Sequence, residues 1–144
     1  MAIRYQPIPG SLFVCNFDTG FKVPEMVKLR PVVVVSPRPE YKNYLCSAVP
    51  LSTTRPFDIK PYHYLLNPAS LPGKYSKRQT WAKCDMISTV SLERLDRLCL
   101  GWDNGKRHFA SHEVTPEDFD GIQRAVISAL GLEKLLLQLH AVTT

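Results

Sequence analysis

The segment Arg30-Pro31-Val32-Val33-Val34-Val35-Ser36-Pro37 constrains this chain more than any other. Four consecutive β-branched residues favour extended backbone, because their branched side chains crowd the preceding turn of a helix. Apolar side chains point to both faces, without the alternation of a half-solvated strand, so the run reads as a strand buried on both sides. Pro37 ends it, since proline has no N–H to offer a ladder. A fold built around this strand needs cover on both faces of its sheet.

Further short extended segments surround it. Residues 11–18 alternate roughly after the Pro9-Gly10 turn signal, and 44–51, 62–66 and 80–90 follow. Residues 98–102 and 107–111 flank Asp103-Asn104-Gly105-Lys106, a hairpin turn because Asn-Gly accepts positive φ cheaply. Twelve prolines and seven glycines interrupt the chain, so strands this short imply a small twisted barrel, with its core over about 9–111, rather than a parallel sheet. The tail changes period. Thr115 can cap a helix, Pro116 suits its first position, and Glu117 and Asp118 favour the positive end of its dipole. Phe119, Ile122, Val126 and Leu130 follow as one apolar stripe expected to face the barrel. Gly131 stops this helix before a second helical run at 133–140, and a short inserted helix is expected at 91–98, capped by Ser91. The fold class is therefore α+β, mainly β, with C-terminal helices over about 115–141, and the 144 residues are expected to form one domain.

Charge is unevenly placed. Residues 1–110 carry 16 Lys and Arg against 8 Asp and Glu, whereas residues 111–144 carry 2 against 5, for a net charge of +5. A basic body suits a polyanion or an acidic protein partner. No apolar run approaches the roughly 20 residues needed to span a bilayer, and the N-terminus has no apolar signal-peptide core. A cytoplasmic location without a membrane partner is expected. Cys15, Cys46, Cys84 and Cys99 are scattered singly in apolar stretches, which suits small buried hydrophobes rather than zinc ligands or a disulfide framework. The four histidines are as dispersed, so neither a metal nor another cofactor is expected.

Motifs for nucleophilic hydrolases, zinc peptidases and Gly-rich phosphate loops are absent. Polar residues at the ends of the expected strands remain. Arg30 precedes the valines; Ser52, Thr53, Thr54 and Arg55 follow Val49-Pro50-Leu51; Lys83 and Asp85 alternate with Ala82 and Cys84 and are expected on one strand face. The long loop at 67–79 carries Lys74, Lys77 and Arg78, and loops of that length are usually functional. Taken singly, these residues read as a surface charge, a turn and a solvated face. Together their hydroxyls, cations and single carboxylate suit chemistry on a phosphodiester.

The order of these pieces resembles the PemK/MazF family of toxins from bacterial toxin–antitoxin systems. The matching stretches are Gly10-Ser11-Leu12-Phe13-Val14-Cys15-Asn16-Phe17-Asp18, Glu25 five residues before Arg30-Pro31-Val32-Val33-Val34-Val35-Ser36-Pro37, Val49-Pro50-Leu51-Ser52-Thr53, and Lys83-Cys84-Asp85 with Thr89 and Arg94-Leu95. The resemblance implies a homodimeric, SH3-like barrel that cleaves single-stranded RNA without a metal, by attack of a ribose 2′-hydroxyl on the neighbouring phosphate. It also implies neutralisation by a cognate acidic antitoxin. Carried over residue by residue, it makes Arg30 the clamp on the scissile phosphate, Ser52 a hydrogen-bond donor to it, Asp85 a base and Lys83 an acid or second clamp. Glu25 is implied to order the site. Lys22 and Lys28 on their loop, together with Thr53, Thr54, Arg55, Lys77 and Arg78, are implied to guide the RNA.

Pro24, Lys83, Met86 and Ser88 depart from the family pattern, and Lys83 in place of Arg gives up bidentate geometry. The hairpin near 98–112 and the long tail exceed the compact family form. Two other functions stay open on the same barrel: a catalytically weak or inactive module binding RNA or protein, and a DNA gyrase poison acting through its C-terminal helix. The nuclease reading requires Arg30, Ser52 and Asp85 to converge on one phosphate-sized hollow.

Overall fold

In the computed structural model, which describes residues 2–143, Val32, Val33 and Val34 lie in β2 (Leu29–Val34), between β1 (Leu12–Asn16) and β3 (Leu45–Ser52), both antiparallel to it, while Val35 follows the strand and is half-buried. Val32 and Val34 enter one core cluster with Phe13, Cys15, Phe17 and Leu95. Val33 enters another with Leu12, Val49 and Leu51. All three valines are fully buried, so β2 is covered on both faces as its sequence requires.

Strand β3 is shared among three neighbours. Residues 45–48 pair with β6 (Ser88–Ser91), 48–50 with β2, and Leu51 and Ser52 with β5 (Trp81–Lys83), which also pairs with β4 (His63–Leu65). One 3-10 turn at Leu92–Arg94 joins β6 to β7 (Leu95–Asp96), which pairs with Val14 and Cys15 of β1. Pairing thus runs from β1 through β2 and β3 and returns to β1 by way of residues 88–96. The architecture is α+β, mainly β, an SH3-like arrangement of short antiparallel strands.

Two expected elements differ. Residues 80–90 are not one strand: a 3-10 turn at Cys84–Met86 separates β5 from β6. Cys84 is drawn inward there; its amide donates to the Tyr62 carbonyl at 3.1 Å and its Sγ approaches the Ile122 carbonyl at 3.7 Å. Residues 91–98 are not a helix beyond that single turn. Ser91 Oγ does accept from the Glu93 amide at 3.2 Å, but Leu95 is taken up by pairing with Cys15. Ladder bonds and a buried Leu95 outweigh a second helical turn, which is costly to nucleate.

Helix α1 (Pro116–Ala129) is capped by Thr115, whose Oγ1 accepts from the Asp118 amide at 3.2 Å. It lays Ile122 and Ala125 on the second core cluster, with Phe119 and Val126 packed beside them. Leu130, expected on the same stripe, is the C-cap and is exposed, so the stripe ends a turn early. Gly131 at φ +75° ends the helix before α2 (Glu133–Thr143). The hairpin forms as expected: β8 (Leu98–Asp103) and β9 (Lys106–Ala110) are joined through Asn104 and Gly105 at φ 50° and 77°. This ribbon pairs with no other described strand. Among the described residues no helix is long and apolar enough to cross a membrane.

Cys15, Cys46 and Cys84 are free and buried, as expected of small core hydrophobes, and Cys99 is half-buried. Burial pushes the first three thiols up to about 12, about 11 and about 12 respectively.

Gly121 lets α1 press against Tyr64 of β4, because a Cβ there would lie 2.1 Å from a carbon of that ring. The substitution Gly121→Ala is expected to lower stability by roughly 2 kcal/mol through overpacking. Urea unfolding should show a reduced midpoint with an unchanged m-value.

Candidate functional site

The site is built on a buried carboxylate. Asp118, on the first turn of α1 and only 3% exposed, accepts hydrogen bonds from Tyr64 Oη at 2.7 Å, the Asn67 amide at 2.9 Å and Ser70 Oγ. Ser70 Oγ in turn accepts from the Thr115 amide at 2.9 Å. The positive end of the helix dipole favours the carboxylate at this position. Burial, aided by the bond to Asp118, pushes the Tyr64 phenol up to about 12. The 3-10 turn Pro68–Ser70 is thereby clamped to the helix, and a second turn, Gly73–Lys77, follows from it. This carries Lys74, Tyr75 and Arg78 over the ends of β2 and β3.

There they enclose a hollow of about 310 Å³ with Arg30, Ser52 and Thr53, on a floor that includes Leu12, Leu51 and Leu98. Among the described residues no carboxylate lines it. Arg30, Lys74 and Arg78 make no ion pair among the described residues. Arg30 Nε donates to the Val27 carbonyl at 3.3 Å, which aims the guanidinium and leaves its terminal nitrogens as donors. Ser52 Oγ accepts from the Thr54 amide at 3.1 Å, so its own proton remains to give. Burial also pushes the Tyr75 phenol up, so it stays protonated, and Lys74 Nζ sits 5.5 Å from the centre of its ring. Three cations and several hydroxyls around an apolar floor form a receptor for an anion whose charge is spread over several oxygens.

The expected site residues fall into three groups. Arg30, Ser52, Thr53 and Arg78 meet at the hollow. Thr54 and Arg55 lie exposed beyond the turn that Ser52 closes, and Lys77 is exposed at the end of its own turn. Asp85 is elsewhere: it borders a separate hollow of about 430 Å³ with Pro24, Glu25 and Met86. Convergence of Arg30, Ser52 and Asp85 on one hollow is therefore met by the first two only. Lys83 and Asp85 do not share a strand face, because the chain turns after Lys83, which sits opposite His63 at the end of β5. Glu25 closes its own turn, its Oε2 accepting from the Lys22 amide at 2.6 Å. Lys22 and Lys28 are exposed, Lys28 at φ 72° with its carbonyl accepting from the Phe17 amide. Tyr75 and Thr80 were not foreseen at the hollow. Lys74 was visible only as one charge of a long basic loop.

A family model described as PemK-like, MazF-like toxin of type II toxin-antitoxin system matches residues 8–130. The chain belongs to this family. Among relatives of this PemK/MazF-family protein, the uncharacterized protein YifN of Escherichia coli (strain K12) is 28% identical over 158 residues, covering 94% of this chain and 99% of YifN. A solved endoribonuclease in complex with its cognate antitoxin, from Mycobacterial species, shares 25% identity at a TM-score of 0.58, covering 88% of this chain and 96% of that one. MazF from Deinococcus radiodurans has the same fold at 20% identity and a TM-score of 0.62, covering 89% and 99%.

Replacing Asp118 with Ala leaves three donors without their acceptor in a buried place. Such a loss is expected to cost roughly 3 kcal/mol. Hydrogen exchange should show residues 67–80 opening in the variant, with the amides of β1 and β2 affected far less.

Proposed function

We propose that this PemK/MazF-family protein is the toxin of a type II pair and acts as a metal-independent endoribonuclease on single-stranded RNA. The observation that carries this reading is the hollow where Arg30, Lys74 and Arg78 face Ser52 and Thr53 with no carboxylate among the described residues of its walls. A relative of the same fold that is named an endoribonuclease and was solved with its cognate antitoxin supports it.

In the proposed reaction the ribose 2′-hydroxyl gives its proton to solvent water as its oxygen forms a bond to the adjacent phosphorus and the bond from phosphorus to the 5′-oxygen breaks. The 5′-oxygen leaves with a proton, and a 2′,3′-cyclic phosphate remains. The terminal nitrogens of Arg30 and the hydroxyl of Ser52 hold the non-bridging oxygens, where negative charge builds up in the transition state. Lys74 and Arg78 add positive charge, and Lys74 or the protonated Tyr75 gives the proton to the leaving oxygen. Asp85 has no part in this scheme, since it lies outside the hollow. Among the described residues neither a carboxylate nor an imidazole lines the cavity, so alignment and charge stabilisation carry the rate, with no strong base assisting.

That same lack favours a second reading, a module that grips RNA without cutting it. In either case a homodimer and an acidic antitoxin seated over the cationic hollow complete the proposed assembly, and expression without the antitoxin arrests growth.

A cleavage assay on unstructured RNA in EDTA separates the two. Wild type is expected to cut, Arg30→Ala and Ser52→Ala to lose about 10²–10³-fold in rate, and Asp85→Asn to stay within a few-fold of wild type. Binding by wild type without any cutting selects the second reading. Rapid cutting by Arg30→Ala discards the proposed site.

A further inference from the structure

We infer that the β8–β9 ribbon is a second subsite for single-stranded RNA, continuous with the cationic hollow, in which bases stack on Trp102 and Phe109 while Arg97 and Arg107 meet phosphates. This inference rests on the proposal that the hollow binds RNA.

The ribbon presents one unusual face. Its register pairs Cys99 with Phe109 and Trp102 with Arg107, with a shift between Cys99 and Gly101. Residues directly opposite each other in a ladder share a face, as do alternate residues along β9. Without the shift, positions 99 and 102 would lie on opposite faces. With it, Trp102 joins Arg107 and Phe109 on one side. Gly101 adopts φ +132° at this point, a conformation L side chains rarely enter. Bulges of this kind re-aim a side chain.

The re-aimed side chain is a tryptophan 68% exposed to solvent. Arg107 lies 5.3 Å from the centre of its ring, and Arg97 lies 4.6 Å from the centre of Phe109. Each ring therefore carries a guanidinium over one of its faces. Single-stranded nucleic acid offers phosphates to such guanidiniums and bases to the ring surface left exposed, and any base can stack because every base has a π-face.

The ribbon also abuts the hollow. A groove of about 390 Å³ runs beside it, lined by Arg97, Arg107 and Phe109 and also by Leu29, Lys74 and Tyr75, which line the hollow as well. Lys74, Arg94, Arg97 and Arg107 outnumber Glu93 and Asp96 along this groove, so its charge suits a polyanion. The loop bearing Lys74 is fitted to the ribbon: a Cβ on Gly73 would stand 3.2 Å from the Leu100 side chain. Leu98, 1% exposed, roots the ribbon in the second core cluster. A strand leaving the hollow past Tyr75 thus meets Arg97 and Phe109 next.

Non-cleavable 2′-O-methyl oligoribonucleotides of about 4 and about 12 nucleotides, added to the full chain, test the subsite, since single-strand sites span several nucleotides. The long oligomer is expected to bind more tightly and to quench tryptophan emission, a signal assigned to Trp102 because Trp81 is buried. The double substitution Trp102→Ala with Arg107→Ala is expected to weaken the long oligomer roughly tenfold. It should lower the salt slope by about 0.7 for the lost phosphate contact, leave the short oligomer unaffected, and keep the wild-type melting temperature. Arg30→Ala should weaken both oligomers. If the double variant binds the long oligomer as wild type does while Arg30→Ala still fails to, the subsite is wrong and the RNA-binding hollow stands. If wild type binds neither oligomer, the hollow's role falls and the subsite with it. A change of oligomeric state in the double variant at unchanged RNA affinity makes the ribbon a contact between copies of the chain and overturns the inference.

Discussion

The carboxylate of Asp118 holds together what would otherwise be two separate parts of the molecule. It sits at the first turn of α1, buried, and three donors from the 64–70 region converge on it. A buried carboxyl in such a place is tolerable because three donors meet its oxygens and the helix dipole points the right way. The arrangement converts a long loop that carries three cations into a wall of fixed shape. Without it, Lys74 and Arg78 would be held near Arg30 only against their mutual repulsion. The cost of gathering like charges at the hollow is met some distance away, in the docking of Ser70 and Tyr64 onto the helix.

Beneath that wall the sheet supplies the fixed side of the site. β2 is buried on both faces, so its position is dictated by two cores at once. A one-residue slip would exchange Val33 with Val32 or Val34 and reverse every side chain. Arg30 precedes these valines on the same strand and inherits their precision, as Ser52 does from the buried end of β3.

Periodicity and turn chemistry made most of the fold legible. The valine run, the Asn104-Gly105 hairpin and the Thr115-Pro116 helix start each have a local cause strong enough to survive any tertiary context. Legibility failed where tertiary demands overruled local pattern. Cys84 leaves an extended stretch to reach the helix, and that single turn sends Asp85 away from Ser52. Leu95 abandons a short helix to complete the ladder on β1. The hollow was readable in part, because Arg30 and Ser52 end strands whose register the core dictates. Tyr75 and Thr80 could not be placed from sequence: their position depends on Asp118 acting some forty residues downstream, and nothing near them in the chain announces it. Asp118 itself reads locally as an ordinary helix-start acid, and only the structure reveals its second role.

The return of pairing to β1 by way of residues 88–96 has a bearing on how the protein is made. Contacts between β1 and β7 span about eighty positions, so they form late and slowly. A nascent chain emerging from the ribosome holds its valine strand uncovered until the closing segment appears, and its second core stays open until α1 follows. The same helix carries the acid that shapes the cationic wall. A product cut short anywhere before α1 therefore has neither a finished interior nor an organised hollow.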